Sequence, residues 1–147
     1  MAIYRSNISQ VTRALAREPD KVAALVSARI MEVTAYINRK VHDRTPVWSG
    51  LAVRNMVWTM DAPNLTEFPA IGAGSEGEGR RGANAAAAQA TYSQLNFKRP
   101  FRRYFLSNAA HHISDLEAGL LPTPERSRVK PGGIFFLTHQ EAVGLLR

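Results

Sequence analysis

Cysteine is absent from this sequence of 147 residues. Disulfide bonds, and metal or catalytic sites built on thiolates, are therefore excluded. Long apolar runs are also missing, since no stretch approaches the roughly 20 apolar residues that a membrane-spanning helix needs. The first residues, Met1-Ala2-Ile3-Tyr4-Arg5, lack the apolar core of a signal peptide. The composition predicts a protein without a membrane partner that is made in the cytoplasm and used without export.

Motifs of catalysis are scarce as well. There is no GxSxG elbow, no P-loop and no HExxH motif. The glycine-rich run at 72–79 matches GxGxxG, but prolines precede it where a dinucleotide site needs a buried strand, and its two glutamates would repel a pyrophosphate. His111 and Asp115 share a helix-like spacing without a third metal ligand. The sequence predicts no catalytic residue, cofactor or metal ion, and an enzyme site formed only in the fold is the catalytic alternative.

The charge is strongly one-sided. The chain has 19 Lys and Arg residues against 12 Asp and Glu residues, a formal net charge of +7 and a pI near 10.4. No acidic residue lies between positions 80 and 114, where six basic residues are candidates for contact with DNA or with a neighbouring subunit: Arg80, Arg81, Lys98, Arg99, Arg102 and Arg103. A polyanion such as DNA, an acidic neighbouring subunit, or simple solvation of a basic face would each account for this surplus.

Helical and strand periodicities divide the chain. Apolar residues recur every three or four positions over 21–43, which predicts an amphipathic helix over 30 Å long at about 1.5 Å per residue. Pro46 ends it, and Ser49-Gly50 predicts a turn. Alternation then predicts a strand over 51–60.

The second half mixes short elements. Residues 71–95 contain the glycine-rich run and an alanine-rich stretch with little to bury, which predicts a flexible or partner-ordered insertion. Alternation over 101–108 predicts a second strand, followed by a short helix that ends at Gly119. Thr138 and Glu141 form a capping-box pattern that predicts the start of a final helix. The expected structure is one α+β domain over 1–147, with a long N-terminal helix packed on a small antiparallel sheet.

Three segments resemble a known family when taken together and in order. They are Thr45-Pro46-Val47-Trp48-Ser49-Gly50-Leu51 with the stretch up to Trp58, then residues 104–119, and then Pro131-Gly132-Gly133-Ile134. They resemble the TPVDTGRLRxSW, xxSNxxPYxxxLExG and APxGM motifs of the neck, head–tail joining and tail-completion proteins of tailed bacteriophages, to which lambda minor tail protein Z is similar. Trp48 stands where the family has Asp, and Ala110 and His111 stand near the family's Pro and Tyr.

The resemblance implies a role in the virion. It implies a homo-oligomeric ring, of six or twelve copies, at the head–tail junction around the channel for double-stranded DNA. Portal or adaptor proteins and tail-tube or tail-terminator proteins are the implied neighbours. It also implies that ten motif residues set the fold and the interface: Thr45, Pro46, Gly50, Trp58, Ser107, Asn108, Glu117, Gly119, Pro131 and Gly132. A free-standing basic nucleic-acid-binding protein is the alternative.

Overall fold

The computed structural model describes residues 9, 10, 12, 13, 16–72, 77–98, 102–122 and 128–146. Its regular elements are α1 (Pro19–Arg44), α2 (Leu51–Arg54), β1 (Val57–Met60), a 3-10 turn (Glu78–Arg80), α3 (Arg81–Ser93), β2 (Tyr104–Ser107), α4 (Ile113–Glu117) and α5 (Phe135–Leu145). The two strands form an antiparallel sheet. The predicted α+β class is therefore confirmed.

Backbone contacts divide the chain into two compact units. One comprises Met1–Glu32 and Asn96–Phe101, and the other comprises Val33–Leu95 and Arg102–Arg147. In the first unit, exposed i, i+3 ion pairs join Lys21 to Glu18 and Arg29 to Glu32 along the helix surface. Such exposed pairs contribute little to stability because water and salt screen them.

The second unit contains the apolar core. Residues from most of its elements meet there, and the buried members are Val41, Ala52, Met56, Ala88, Leu116, Val129 and Ile134. The sheet has only two strands and is stable only when a helix covers it. Helix α3 supplies that cover, because it packs against both α2 and β1.

Helix α1 begins and ends close to its predicted bounds. The Thr45 hydroxyl donates to the Val41 carbonyl (2.6 Å) beside the backbone bond from Thr45 N–H to the same carbonyl (3.0 Å). Pro46 follows and cannot continue a helix, since it has no N–H to donate. Local chemistry is thus sufficient to end α1.

The prediction of a strand over 51–60 is wrong for its first half. Leu51–Arg54 form a turn of helix that starts at Gly50, whose φ is +84°. Alternation places Ala52 and Val53 on opposite faces, but both are buried. The Asn55 side chain donates to the Leu51 carbonyl (2.9 Å) and to the Phe68 carbonyl (2.8 Å). The helical turn is thereby bonded to a residue that lies outside the predicted strand.

Two further elements have other bounds than the sequence predicted, and a third lies within the predicted insertion. Residues 81–93, part of the 71–95 insertion that was predicted to be flexible or partner-ordered, form α3 and bury Asn84 and Ala88 against their own chain. The final helix begins at Phe135 instead of Thr138. The Thr138 hydroxyl donates to the Ile134 carbonyl inside that helix (2.5 Å), so it does not act as a cap. The second strand is shorter than predicted and covers Tyr104–Ser107.

Candidate interaction surface

The three motif segments meet in the second unit, and we call residues 45–58, 104–119 and 131–134 the motif cluster. The first two segments are joined by β1 and β2, in which Val57 lies opposite Ser107 and Met60 opposite Tyr104. The Asn108 amide extends this join, because its Nδ2 donates to the Ala52 carbonyl (2.7 Å). Ser107 Oγ accepts the Asn64 N–H (3.1 Å), which attaches the loop after β1. The side chains of both polar motif residues therefore bind backbone groups.

Glu117 joins the second segment to the third. Its carboxylate accepts the backbone N–H groups of Ile134 (3.0 Å), Phe135 (3.0 Å) and Phe136 (2.9 Å). These are among the N–H groups that a helix start leaves without an internal partner. A carboxylate is also favourable at this positive end of the helix dipole. Glu117 is therefore the cap of α5, a role that the sequence had assigned to Thr138.

Two glycines of the motif cluster allow the backbone to pass closely there. Gly119 has a φ of +72°, and a Cβ on it would lie 2.7 Å from the Val129 carbonyl oxygen. Gly132 has a φ of +71°, and its N–H donates to the Glu117 carbonyl (2.8 Å). Pro131 packs beside Gly119, with its Cδ 3.3 Å from the same hypothetical Cβ. A side chain at Gly119 would push these segments apart.

Asn84 attaches α3 to the turn at Gly50. It is fully buried, donates from Nδ2 to the carbonyls of Ile71 (3.1 Å) and Arg80 (2.7 Å), and accepts the Ile71 N–H (2.8 Å). A Cβ on Gly50 would lie 2.4 Å from that Nδ2. The only feature of the sequence that pointed to this contact was a polar residue inside an alanine-rich run.

Trp58 is the aromatic centre of the contact between α1, β1 and α3. Its Nε1–H donates to Asn38 Oδ1 (2.9 Å), and Asn38 Nδ2 in turn donates to Gln89 Oε1 (2.7 Å). The Tyr92 ring meets the Trp58 ring edge to face, with centroids 5.6 Å apart. Aromatic pairs in this arrangement contribute beyond the area they bury. The side chains of Trp58 and Thr45 are therefore packed inside the protein. Pro46, which follows Thr45, is half-buried.

The predicted basic residues are used in different ways. Arg81 lies over the C-terminal end of α1, where its guanidinium donates to the carbonyls of His42 (2.9 Å) and Thr45 (3.0 Å). A cation is favourable at this negative end of the helix dipole. The Arg80 guanidinium donates to the Gly72 carbonyl. Arg81 therefore already has a structural role, whatever else it contacts.

Two of the other four basic residues, Arg102 and Arg103, directly precede β2. Arg102 forms an ion pair with Asp61 (3.1 Å), while Arg103 next to it is exposed. Lys98 is exposed and belongs to the first unit. Arg99 lies outside the residues that the structure describes. Arg80 with Arg81, and Arg102 with Arg103, are thus placed as two separate pairs in the second unit.

A polar link that the sequence did not predict ties α1 to α5. Glu141 accepts hydrogen bonds from Arg44 Nη2 (2.7 Å) and from the Tyr36 hydroxyl (2.6 Å). Arg44 also donates to the Thr138 hydroxyl (2.8 Å). These bonds, first that from Arg44 and then that from Tyr36, lower the pKa of Glu141 from 4.5 to about 2. The carboxylate therefore stays charged over the physiological range.

An open cleft of about 500 Å³ lies between the end of α1 and α3, lined by residues that include Arg39, His42 and Gln89. Both ring nitrogens of His42 are shielded from water without a hydrogen-bond partner among the described residues. Burial, and then the charge of Arg81, lower the pKa of His42 below its usual 6.5. His42 is therefore neutral at pH 7, and nothing in the described part of the cleft forms a catalytic pair with it.

No protein-family profile, curated protein or solved structure matches this chain. Within the described residues, no group of three or more His, Cys, Asp or Glu side chains could hold a metal ion. None of the helices in that part of the chain is long and apolar enough to cross a membrane. The features of the candidate surface are therefore the motif cluster and the cations around it.

Proposed function

We propose that this chain is a structural subunit of the head–tail junction of a tailed bacteriophage. In this role, copies of the chain form a ring that joins the tail to the head connector and surrounds the DNA channel. Portal or adaptor proteins on one side, and tail-tube or tail-terminator proteins on the other, are its neighbours. The subunit acts as a building block and carries out no reaction.

The observation that supports this proposal most strongly is the convergence of the three motif segments. The first and second are separated by 45 residues and the second and third by 11, yet β1 and β2 pair the first with the second, and Glu117 caps the helix that follows the third. Residues of all three serve as connectors: Gly50 in the first leaves room for Asn84, Asn108 and Glu117 in the second bind backbone groups, and the N–H of Gly132 in the third donates to the Glu117 carbonyl. These residues hold the framework together, and none of those named acts as a catalytic group. Such a set is suited to a subunit of an assembly.

The charge distribution is the second support. Among the described residues, Arg54, Arg80 and Arg103 make no ion pair with a carboxylate. The Arg54 guanidinium instead lies 4.7 Å above the Phe68 ring centre. Cations that no described carboxylate neutralises suit a subunit that lies beside DNA or beside acidic neighbours.

The direct test removes the chain from the phage that encodes it. We expect DNA-filled heads and finished tails that remain separate in electron micrographs, because the part that joins them is missing. Supplying the wild-type chain from a plasmid should restore joined particles. Normal virions without the chain would contradict the proposed function.

A free-standing nucleic-acid-binding protein is the second candidate, and the same unpaired cations favour it. Light scattering on the purified chain, across protein concentration and with or without duplex DNA, separates the two functions. A ring-sized mass, or a monomer indifferent to DNA that assembles only on a partner ring, supports the junction subunit. A monomer that binds DNA with steep salt dependence supports the alternative.

A further inference from the structure

Helix α5 packs Phe135 against the core but exposes the next two large apolar residues. Phe136 and Leu137 are 62% and 43% exposed, whereas Thr138 and Ala142 are 1% and 4% exposed. A helix that only covers its own core keeps its large apolar side chains inside. The residues on the exposed side share a helical face, which we call the α5 outer face: Phe136, Leu137, Gln140, Val143 and Gly144.

The α5 outer face is held in place from both sides. Glu117 accepts three N–H groups from residues 134–136, and the Leu137 N–H donates to the Gly132 carbonyl (2.9 Å). On the inner side, Glu141 is bound by Arg44 and Tyr36 of α1. The Phe136 ring lies against Gly132, with its Cδ1 3.2 Å from where a Cβ would be. A surface fixed before binding loses little conformational entropy on contact.

The charge pattern indicates what the α5 outer face can bind. Glu141 is the only Lys, Arg, Asp or Glu between residues 135 and 146, and it is directed at α1. A nucleic acid would find no cation on this face, and an acidic protein would find no complement. Two copies of a chain with a net charge of +7 repel each other least where neither presents a charge.

We infer that the α5 outer face is a contact surface between copies of this chain. The inference rests on the proposed function, since a ring requires each subunit to touch another. The exposed apolar area is on the order of a few hundred Å² per copy, against about 800 Å² per partner in a stable interface. The α5 outer face is therefore the apolar centre of a larger contact, and association of the isolated chain is weak and depends on concentration.

The test compares Phe136→Glu with wild type by light scattering and sedimentation over a range of protein concentrations. The matched control is Leu65→Glu, because Leu65 is a large apolar residue with 85% exposure on the loop after β1, outside both α5 and the motif cluster. We expect the wild type to increase in mass with concentration, Leu65→Glu to follow it, and Phe136→Glu to need at least tenfold more protein for the same mass. Circular dichroism and unfolding curves show whether each variant folds. If Phe136→Glu does not fold, Phe136→Ser replaces it in the comparison.

The absence of cysteine allows a second readout. Leu137→Cys introduces a single thiol, and a benzophenone maleimide attached to it should, on illumination, link it to the adjacent copy, because a ring contact joins two different patches. The same reagent on Thr66→Cys, an exposed position on the loop after β1, is the control and should link far less.

Three outcomes overturn the inference. One is a Phe136→Glu variant that associates as the wild type does, and another is a Leu65→Glu variant that is impaired equally. The third is a wild type that stays monomeric alone and whose Leu137→Cys variant gives no link between copies in assembled particles, while Phe136→Glu still prevents head–tail joining, because the α5 outer face then binds a different protein. In that third case the proposed function survives, whereas virions that form without the chain would remove it.

Discussion

At the scale of single residues, the motif cluster depends on polar side chains that bind backbone groups. Asn55, Asn84 and Glu117 each hold a segment that lies more than ten residues away in sequence. Two of them, Asn55 and Asn84, are fully buried, where an unpaired amide would cost about 1–3 kcal/mol. Changing one of them therefore removes a connection and also leaves its partners without a hydrogen bond.

Replacing Glu117 with alanine should lower the free energy of unfolding by about 1–2 kcal/mol, because α5 loses its cap. Denaturant unfolding measures this change. The control is Glu32→Ala, which removes an exposed carboxylate paired with Arg29 and should change stability by less than about 0.5 kcal/mol. Equal effects of the two substitutions would show that Glu117 is not a cap.

Gly50→Ala should destabilise the protein by about 2 kcal/mol or more, since it adds left-handed backbone strain and displaces Asn84. The hypothetical Cβ lies 2.4 Å from Asn84 Nδ2 at a φ of +84°. Gly82→Ala is the matched control, because a Cβ there meets no atom within 4 Å and helix α3 continues through it. It should stabilise the protein by about 0.5–1 kcal/mol. Thermal or denaturant unfolding of both variants tests the pair.

At the scale of elements, polar links connect helices that apolar packing alone would leave free to slide. Helix α1 meets α5 through Arg44, Tyr36 and Glu141, and it meets β1 through Asn38 and Trp58. Hydrogen bonds have narrow distance and angle requirements, so they determine the register of one element against another. The carboxylate of Glu141 also makes the contact between α1 and α5 sensitive to pH.

The bond between α1 and α5 should weaken in acid. The pKa of Glu141 is about 2 in the folded chain and 4.5 as its ordinary value, so the unfolded chain takes up a proton first as the pH falls. The stabilisation is therefore complete above about pH 4.5 and is lost as the pH falls through about 2. The difference in free energy of unfolding between wild type and Glu141→Gln should shrink across this window. A difference that stays constant from pH 5 to pH 2 would contradict the assignment.

Sequence periodicity predicted elements well only where local interactions decide them. Helix α1 follows a regular apolar stripe and ends at Thr45 and Pro46, which act within a few residues. The turn of helix at 51–54 and helix α3 depend instead on bonds to Phe68, Ile71 and Trp58 from distant parts of the chain. Alternation in the first case, and alanine content in the second, contain no information about those partners.

At the scale of the whole molecule, the net charge of +7 governs association with anything negatively charged. Only part of that charge is neutralised by ion pairs among the described residues. A ring subunit around a channel must let DNA slide past. The proposed function therefore requires that the attraction to duplex DNA is general and weak.

We accordingly expect duplex DNA to bind the isolated chain without sequence preference, with a Kd on the order of 10⁻⁴ to 10⁻⁶ M at physiological salt. Fluorescence anisotropy with two unrelated duplexes, at low and physiological salt, measures both properties. A nanomolar Kd at physiological salt, or a strong preference for one duplex, would contradict the junction role and favour the nucleic-acid-binding alternative.

The sequence by itself determined the α+β class, the long helix with its end, the basic surplus and the positions of the three motif segments, because each depends on composition or on neighbours along the chain. Only the tertiary structure decided that Glu117 caps α5 and that α5 leaves Phe136 exposed. It also decided that Asn84 holds α3 in place and that Arg81 binds the C-terminal end of α1. These facts depend on which groups meet across long loops. A hydrogen bond or an exposed face is a property of two surfaces, and one stretch of sequence describes only one of them.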